Sequence, residues 1–243
     1  MIRKNLPVVL LLAVLSAVTF SCRKSSVATT DVSRLYFPLQ YGKYVVYNVD
    51  SVRYYGLAGT KYEVKCQMKY EVTDTVTINK QLSYLLNVYW RPYDGADWVG
   101  SSVIILTPTA NSLLWSQDQA QYIQLMFPVA NGTTWKGNAN VTTQDSIFSY
   151  LNNWDYTYYN YHKSYFNGYV NFDNTVTLVE ANQNVNYQNV DSAVSGYRTF
   201  VEQVYAFNVG MIYKQWTHYT FGAPDTGQNK NGFSVTMAAV NYN

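Results

Sequence analysis

Residues 62–73 alternate without a break between apolar and polar side chains, and this period of two constrains the fold more than any other feature of the chain. Because successive side chains of a β-strand point to opposite faces, such a run predicts a strand with one buried face. The same pattern recurs less regularly elsewhere. We expect further strands in residues 44–55, 82–91, 103–107, 122–127, 175–181, 199–207, 211–219 and 233–241.

These segments predict an all-β protein of about nine or ten antiparallel strands, several of them longer than the common length of about 5 to 6 residues. Long strands with one buried face favour a barrel or a half-barrel, with a two-sheet sandwich as the alternative. The composition agrees, because the chain holds 25 Tyr and is 17% aromatic but only 13% charged. A chain so rich in β-forming aromatic residues does not belong to the disordered class.

One short motif occurs twice. Phe37-Pro38-Leu39 is followed by Gly42, and Phe127-Pro128-Val129 is followed by Gly132 at the same spacing. Proline blocks pairing in a β-ladder and glycine supplies a position with positive φ, so each copy predicts a strand edge followed by a tight turn. The repeat is compatible with two duplicated β halves or with a single turn type that is used twice.

The N-terminus has the layout of a bacterial export signal. Arg3 and Lys4 precede residues 6–20, which carry no charge. A membrane-spanning helix needs roughly 20 apolar residues, so this run is too short to span. The pattern instead predicts a cleaved signal peptide, residues 1–21.

Cys22 follows the apolar run directly, and the sequence Thr-Phe-Ser-Cys around Ser21 resembles the lipobox, whose cysteine thiol takes a diacylglycerol. We therefore expect Cys22 to be the lipidated first residue of the mature chain. Cys66 then has no partner for a disulfide, and its place on the apolar side of its strand predicts a small buried hydrophobe. Residues 22–35 read as a lipidated N-terminus with a flexible tether, and residues 36–243 as a single all-β domain.

The charges near the predicted anchor bear on partners and location. Loss of Arg3 and Lys4 with the signal peptide lowers the 17 basic residues to 15, equal to the 15 acidic ones, so we expect no nucleic-acid partner. The lipid on Cys22 makes the membrane the expected partner. Arg23 and Lys24 stand where an acidic run marks surface export in some lipoproteins, which favours an outer-membrane anchor facing the periplasm.

The two turn motifs carry a family resemblance. Phe37-Pro38-Leu39 with Gly42, Tyr44, Tyr47 and Val49-Asp50-Ser51, together with Phe127-Pro128-Val129, Gly132, Trp135 and Gly137-Asn138-Ala139, resembles a family of uncharacterised lipoproteins from Gram-negative bacteria. The resemblance implies lipid anchorage and brings no assigned activity. At the level of fold alone, the chain is similar to periplasmic half-barrel carriers of lipids and lipoproteins.

Residues with catalytic or metal-binding chemistry are few and scattered. His162 and His218 have no second ligand at a recurrent spacing, and nothing in the sequence requires Glu180 and Glu202 to meet as a carboxylate pair. The turn at Asp94-Gly95-Ala96-Asp97 lacks the regular series of a calcium loop. We therefore expect no enzyme activity, no metal and no cofactor.

A concentration of aromatic residues near the middle of the chain is the best candidate for ligand binding. Aromatic side chains on both faces of one strand imply that one set is core and the other is exposed or lines a cavity. The candidate residues are Trp154, Tyr156, Tyr158, Tyr161 and Tyr165. A second group consists of Trp90, Trp98 and Trp135.

Two functions follow from these features. The first is a membrane-anchored, non-enzymatic β module that binds an envelope partner or a glycan. The second is a carrier whose half-barrel encloses an acyl chain or another apolar ligand. A continuous apolar cavity of several hundred Å³, open at one rim, would favour the carrier.

Overall fold

A computed structural model describes residues 32–55, 60–142, 149–152, 154–186, 195–222 and 230–243. These residues form twelve β-strands and two short 3₁₀ turns, Val32–Tyr36 and Ser149–Leu151. The strands are β1 (Tyr44–Tyr55), β2 (Lys61–Ile78), β3 (Gln81–Arg91), β4 (Val99–Pro108), β5 (Ser112–Gln117), β6 (Ala120–Met126), β7 (Thr134–Trp135), β8 (Tyr156–Phe166), β9 (Asn171–Val185), β10 (Gly196–Ala206), β11 (Gly210–Phe221) and β12 (Lys230–Tyr242).

All twelve strands belong to one antiparallel sheet in which β1 pairs with both β2 and β12. The ends of the sheet, β6 and β7, lie against each other. The backbone N–H of Ile123 donates to the carbonyl of Gly137 at 2.6 Å, and the indole N–H of Trp135 donates to the carbonyl of Ile123 at 2.7 Å. The sheet is therefore a nearly closed barrel, which confirms the predicted barrel and excludes the two-sheet sandwich.

The strands agree closely with the sequence pattern, although there are twelve instead of nine or ten. β1 has the predicted limits, and the alternating run extends to residue 78 in β2. The alternation did not predict β5 and β7, and β8 was indicated only by its run of aromatic residues. Leu113 and Leu114 stand side by side in β5 and hide the period of two, and β7 has only two residues.

The register of the pairs defines the inner face of the barrel. Tyr47 pairs with Met68 and with Ala239, so their side chains point into the barrel together. Phenol groups inside the barrel donate to backbone carbonyls, as Tyr47 does to Met211 at 2.8 Å. The largest fully buried rings are those of Trp154, Tyr36, Tyr47, Tyr156, Tyr158 and Tyr205. Much of the chain's aromatic content thus fills the interior.

The repeated motif forms the same turn at its glycine twice, although the Phe127-Pro128 peptide bond is cis and the Phe37-Pro38 bond is not. Gly42 and Gly132 both have φ of 78°. The N–H of Gly42 donates to the carbonyl of Val72 at 2.8 Å, and the N–H of Gly132 donates to that of Tyr158 at 2.8 Å. Each turn opens a run of six consecutive strands, β1 to β6 and β7 to β12. The positive φ expected at both glycines is confirmed, and the two halves of the barrel begin alike.

The folded part of the chain begins earlier than expected. Residues 32–35, assigned to the tether from sequence, form the first 3₁₀ turn, in which Ser33 is buried. The N–H of Asn208 donates to the carbonyl of Leu35 at 2.8 Å, and Arg34 Nη2 donates to the carbonyl of Thr109 at 2.9 Å. Residues 32–35 are therefore packed on the barrel, through the backbone of Leu35 and the side chain of Arg34, instead of belonging to the tether.

The predicted signal peptide, Cys22 and the rest of the tether lie outside the described residues. In the part of the chain that the structure describes, there is no helix long and apolar enough to cross a membrane.

Gly137 lies at the seam, and its substitution tests how closely the chain is packed there. A Cβ at Gly137 would lie 2.3 Å from ring carbons of Tyr156, whereas one at Gly100 would meet nothing within 4 Å. We expect Gly137→Ala to lower the free energy of unfolding by about 1 to 3 kcal/mol through overpacking. Urea denaturation of the full chain measures the change. Gly100→Ala is the control, and an equal loss in both variants would contradict close packing at the seam.

Candidate functional site

The structure places most of the predicted binding residues inside the barrel. Trp154, Tyr156 and Tyr158 are 2%, 1% and 0% exposed. The alternation of β8 points Tyr156 and Tyr158 inward, and Trp154 Nε1 donates to the carbonyl of Tyr150 at 2.9 Å. These three rings belong to the core and offer no surface to a ligand outside the barrel.

The other two predicted residues keep part of their surface. The ring of Tyr161 lies 5.9 Å from that of Tyr36, and the ring of Tyr165 lies 5.6 Å from that of Tyr213. Tyr159, which alternates with the buried tyrosines of β8, is 49% exposed. One aromatic set is thus core and the other is not, and a ligand role for Tyr161 and Tyr165 stays a prediction.

A buried polar cluster joins three strands inside the barrel. Glu180 is 5% exposed, and its Oε1 accepts from Gln124 Nε2 at 2.8 Å and from Gln203 Nε2 at 2.5 Å. The hydroxyl of Tyr205 donates to Oε1 of Gln203. Because Gln124 lies on β6 and Glu180 on β9, these bonds tie the last strand of the first half to the second half of the barrel.

Burial shifts the pKa values of the two ionisable groups of this cluster toward their neutral forms. Burial raises the pKa of Glu180, while attraction to Lys214 and hydrogen bonds from Gln124 and Tyr156 act in the opposite direction. Burial lowers the pKa of Lys214, against the attraction of Glu180. The ammonium group of Lys214 also lies 4.9 Å from the ring centroid of Trp216. The hydrogen bonds of the cluster form an interior network that stabilises the seam, although the buried indole N–H of Trp216 has no hydrogen-bond partner among the described residues.

Glu180→Gln separates the hydrogen bonds of this cluster from its charge. The unfolded chain releases the Glu180 proton near pH 4.5, whereas the folded chain keeps it to higher pH. Stability should therefore fall as the pH rises through this window. Glu180→Gln removes the titration, while its amide oxygen still accepts from Gln124 and Gln203.

We expect the wild-type chain to lose free energy of unfolding relative to Glu180→Gln as the pH rises from about 4.5 through the raised pKa of the folded carboxyl. Urea denaturation followed by Trp fluorescence at several pH values measures this difference. Parallel pH profiles of the two proteins would contradict the raised pKa. Glu180→Ala should instead destabilise by about 3 to 5 kcal/mol at acidic pH and by less at higher pH, because both amides lose their shared acceptor while only the wild-type chain loses stability as the pH rises.

Glu202 and His218 do not belong to the cluster around Glu180. Glu202 alternates with Gln203 along β10, so it lies on the outer face, away from Glu180. His218 Nδ1 lies 2.8 Å from the hydroxyl of Thr199, its ring stacks on Tyr150 with centroids 4.1 Å apart, and burial lowers its pKa. Among the described residues, there is no group of three side chains suited to a metal ion. The absence of catalysis stays a prediction.

An apolar pocket lies at the end of the barrel where the first 3₁₀ turn packs. Phe37 enters this end, with its ring centroid 6.3 Å from that of Trp115 and 6.1 Å from that of Tyr205. The pocket has a volume of about 30 Å³, which is room for one water-sized molecule. This volume is far below the several hundred Å³ that the carrier function would need in an apolar cavity.

A polar groove crosses the outer face of β2, β1 and β12. Its floor carries the side chains that alternate with the inner set, among them Asn48 and Gln67. Gln67 Nε2 donates to Asn48 Oδ1 at 2.7 Å, and Arg91 Nε donates to Gln67 Oε1 at 2.8 Å. Three polar side chains on neighbouring strands are thus fixed by a ladder of hydrogen bonds, with little rotamer freedom left to lose on binding.

Two loops raise the walls of the groove. The loop between β3 and β4 contributes Tyr93 and Trp98, and the loop between β8 and β9 contributes Tyr169. Tyr93 is 67% exposed and Tyr169 is 57% exposed. The groove has two adjoining sections of about 820 Å³ and 640 Å³, which share part of their floor. It is large enough for several units of a polymer and is lined by phenols, amides and charged groups.

Asn167 holds the wall that carries Tyr169. Its Nδ2 donates to the carbonyls of Ile212 at 3.2 Å and Ala239 at 2.8 Å, where β11 and β12 diverge. Its Oδ1 accepts from the N–H of Tyr169 at 3.0 Å. Asn167 is 5% exposed, so it fixes this loop from below while Tyr169 stays open to the groove.

The sequence identified only part of this groove. Trp98 belongs to the second aromatic group and lines the groove. Trp90 lies on the inner side of β3 opposite Met68 but is 38% exposed, and Trp135 closes the seam. The carboxylate of Asp94 is bonded to Arg91. The floor amides gave no sequence signal, because isolated polar residues at alternate positions are typical of any exposed strand face.

Comparison with known proteins gives weak similarities. No protein family model matches the chain, and no curated protein does. A "putative exported protein with YmcC-like fold" from Bacteroides fragilis has a TM-score of 0.35 and 11% identity, covering 84% of this chain and 98% of that one. A "putative lipoprotein" from Parabacteroides distasonis has a TM-score of 0.36 and 12% identity, covering 86% and 98%. Similarity at this level assigns neither a family nor a function.

Proposed function

We propose that this chain is an exported lipoprotein, anchored to a membrane through Cys22, whose barrel binds a glycan in the outer groove without catalysing a reaction. The observation that carries the proposal is the groove itself, with its fixed ladder of Asn48, Gln67 and Arg91 between walls that carry exposed tyrosines. The apolar pocket of about 30 Å³ leaves the carrier alternative without comparable support.

A glycan fits the lining of the groove better than a protein surface does. Saccharides present hydroxyl groups on their edges and apolar C–H faces, which suit amide side chains and aromatic rings respectively. The floor of the groove carries Lys69 and Glu71, and lysine and glutamate are depleted in protein interfaces. The recessed shape also suits a narrow polymer more than a flat epitope.

The anchor gives this binding a place in the cell envelope. Lipidation at Cys22 would tether the barrel to the outer membrane facing the periplasm, since Arg23 and Lys24 replace the acidic run of surface-exported lipoproteins. A neutral mature chain needs no electrostatic attraction to reach that membrane. In this role the barrel retains an envelope or exported glycan close to the membrane.

The chain offers a matched pair of cysteines for testing the anchor. In the native host, Cys22→Ser should abolish incorporation of an alkyne-tagged palmitate and move the protein from the membrane to the soluble fraction. Cys66→Ser should keep both the label and the membrane fraction, since Cys66 is an unpaired cysteine of the barrel. Labelling that survives Cys22→Ser would overturn lipidation at this residue.

Glycan binding is testable with the full chain in lauryldimethylamine oxide, a detergent without a sugar headgroup. We expect binding of at least one member of a panel of neutral and anionic hexasaccharides, measured by calorimetry. Tyr93→Ala should weaken that binding about tenfold through loss of an aromatic contact.

Tyr159→Ala is the matched control, because Tyr159 is exposed on β8 and does not line the groove. It should leave the dissociation constant unchanged. The proposal fails if no hexasaccharide binds the wild-type chain, or if both tyrosine variants lose affinity equally.

A further inference from the structure

Among the described residues, every charged side chain that lines the groove belongs to an ion pair. The lining contains three cations and four anions, namely Lys65, Lys69, Arg91, Asp50, Glu63, Glu71 and Asp94. Lys65 pairs with Asp50 at 3.4 Å, Lys69 with Glu71 at 2.8 Å, and Arg91 with Asp94. Lys61, outside the lining, pairs with Glu63 at 2.6 Å.

Two of the groove cations are engaged a second time. The ammonium group of Lys69 lies 4.6 Å from the ring centroid of Tyr89, and the guanidinium of Arg91 lies 4.3 Å from that of Trp98. Arg91 also donates to Gln67. An anionic ligand would have to displace the partner carboxylate from one of these cations and would then lie beside that carboxylate. Repulsion between the ligand anion and that neighbouring carboxylate would weaken binding.

We infer that the groove selects an uncharged saccharide, an inference that rests on the glycan-binding function proposed above. The internal pairing cancels the field of the groove, so a neutral chain of hydroxyl groups meets amides, phenols and satisfied ions without breaking an ion pair. The paired charges thus disfavour anionic glycans, because an anionic ligand would have to break an ion pair in order to bind.

Removal of one groove carboxylate tests this selection. Glu71→Gln removes the ion-pair partner of Lys69. The side chains of Glu71 and Lys69 are only 25% and 21% exposed. Asp118→Asn removes the same charge from the exposed turn between β5 and β6 and serves as the control. The ligands are maltohexaose, cellohexaose and mannohexaose, with hexagalacturonate as the anionic probe, at about physiological ionic strength.

We expect the tightest neutral hexasaccharide to bind the wild-type full chain at least about tenfold more tightly than hexagalacturonate. Glu71→Gln should strengthen hexagalacturonate binding about tenfold, in a salt-dependent way, so that the ratio of neutral to anionic affinity falls. Asp118→Asn should change neither.

The alternative outcomes separate the inference from the function on which it rests. Hexagalacturonate binding as tight as neutral binding overturns the inference and leaves glycan binding in place. A neutral preference that Glu71→Gln does not alter also overturns it, because ion pairing would not be the cause. Binding of neither ligand class overturns the glycan-binding function itself.

Discussion

The pairing of the first strand with the last holds the barrel together. β1 and β12 are aligned from Val45 opposite Tyr242 to Tyr55 opposite Asn231, although they stand at opposite ends of the folded chain. Within the sheet, this ladder is the link between the first six strands and the last six. Without it, two six-stranded meanders would each expose an additional long edge. The ladder thus joins two open sheets into one barrel, and each sheet follows the same kind of glycine turn.

A barrel of twelve strands has a wide interior that side chains must fill. Eight strands leave a lumen that ordinary side chains fill, and the lumen widens with strand number. Here twelve strands are filled by tyrosine and tryptophan rings, whose polar atoms need partners away from water. Tyr47 and Tyr158 use backbone carbonyls, and Tyr205 uses the network of Glu180. The high tyrosine content is therefore a packing solution before it is a binding surface.

This packing explains what the sequence reveals and what it conceals. The alternation of residues 62–73 gives the strand and its inner face, and Gly42 gives the turn before β1. Alternation cannot tell which of two aromatic faces is core, so Tyr156 and Tyr158 resembled binding residues although they are buried. The groove arises from three strands and two distant loops. Asn48 and Tyr169 line the same groove because β1 pairs with β12, and this pairing leaves no trace in local sequence.

Because the interior is filled, the ligand recognition that we propose takes place on the outside of the barrel. An outer strand face is too flat to enclose a ligand, so walls must come from loops that rise over it. The divergence of β11 and β12 admits Asn167, which fixes one wall, and Arg91 at the end of β3 holds Trp98 and Asp94 of the other. The irregularities of the barrel and its paired charges thus shape one recess, and that recess requires no movement of the core to receive a ligand.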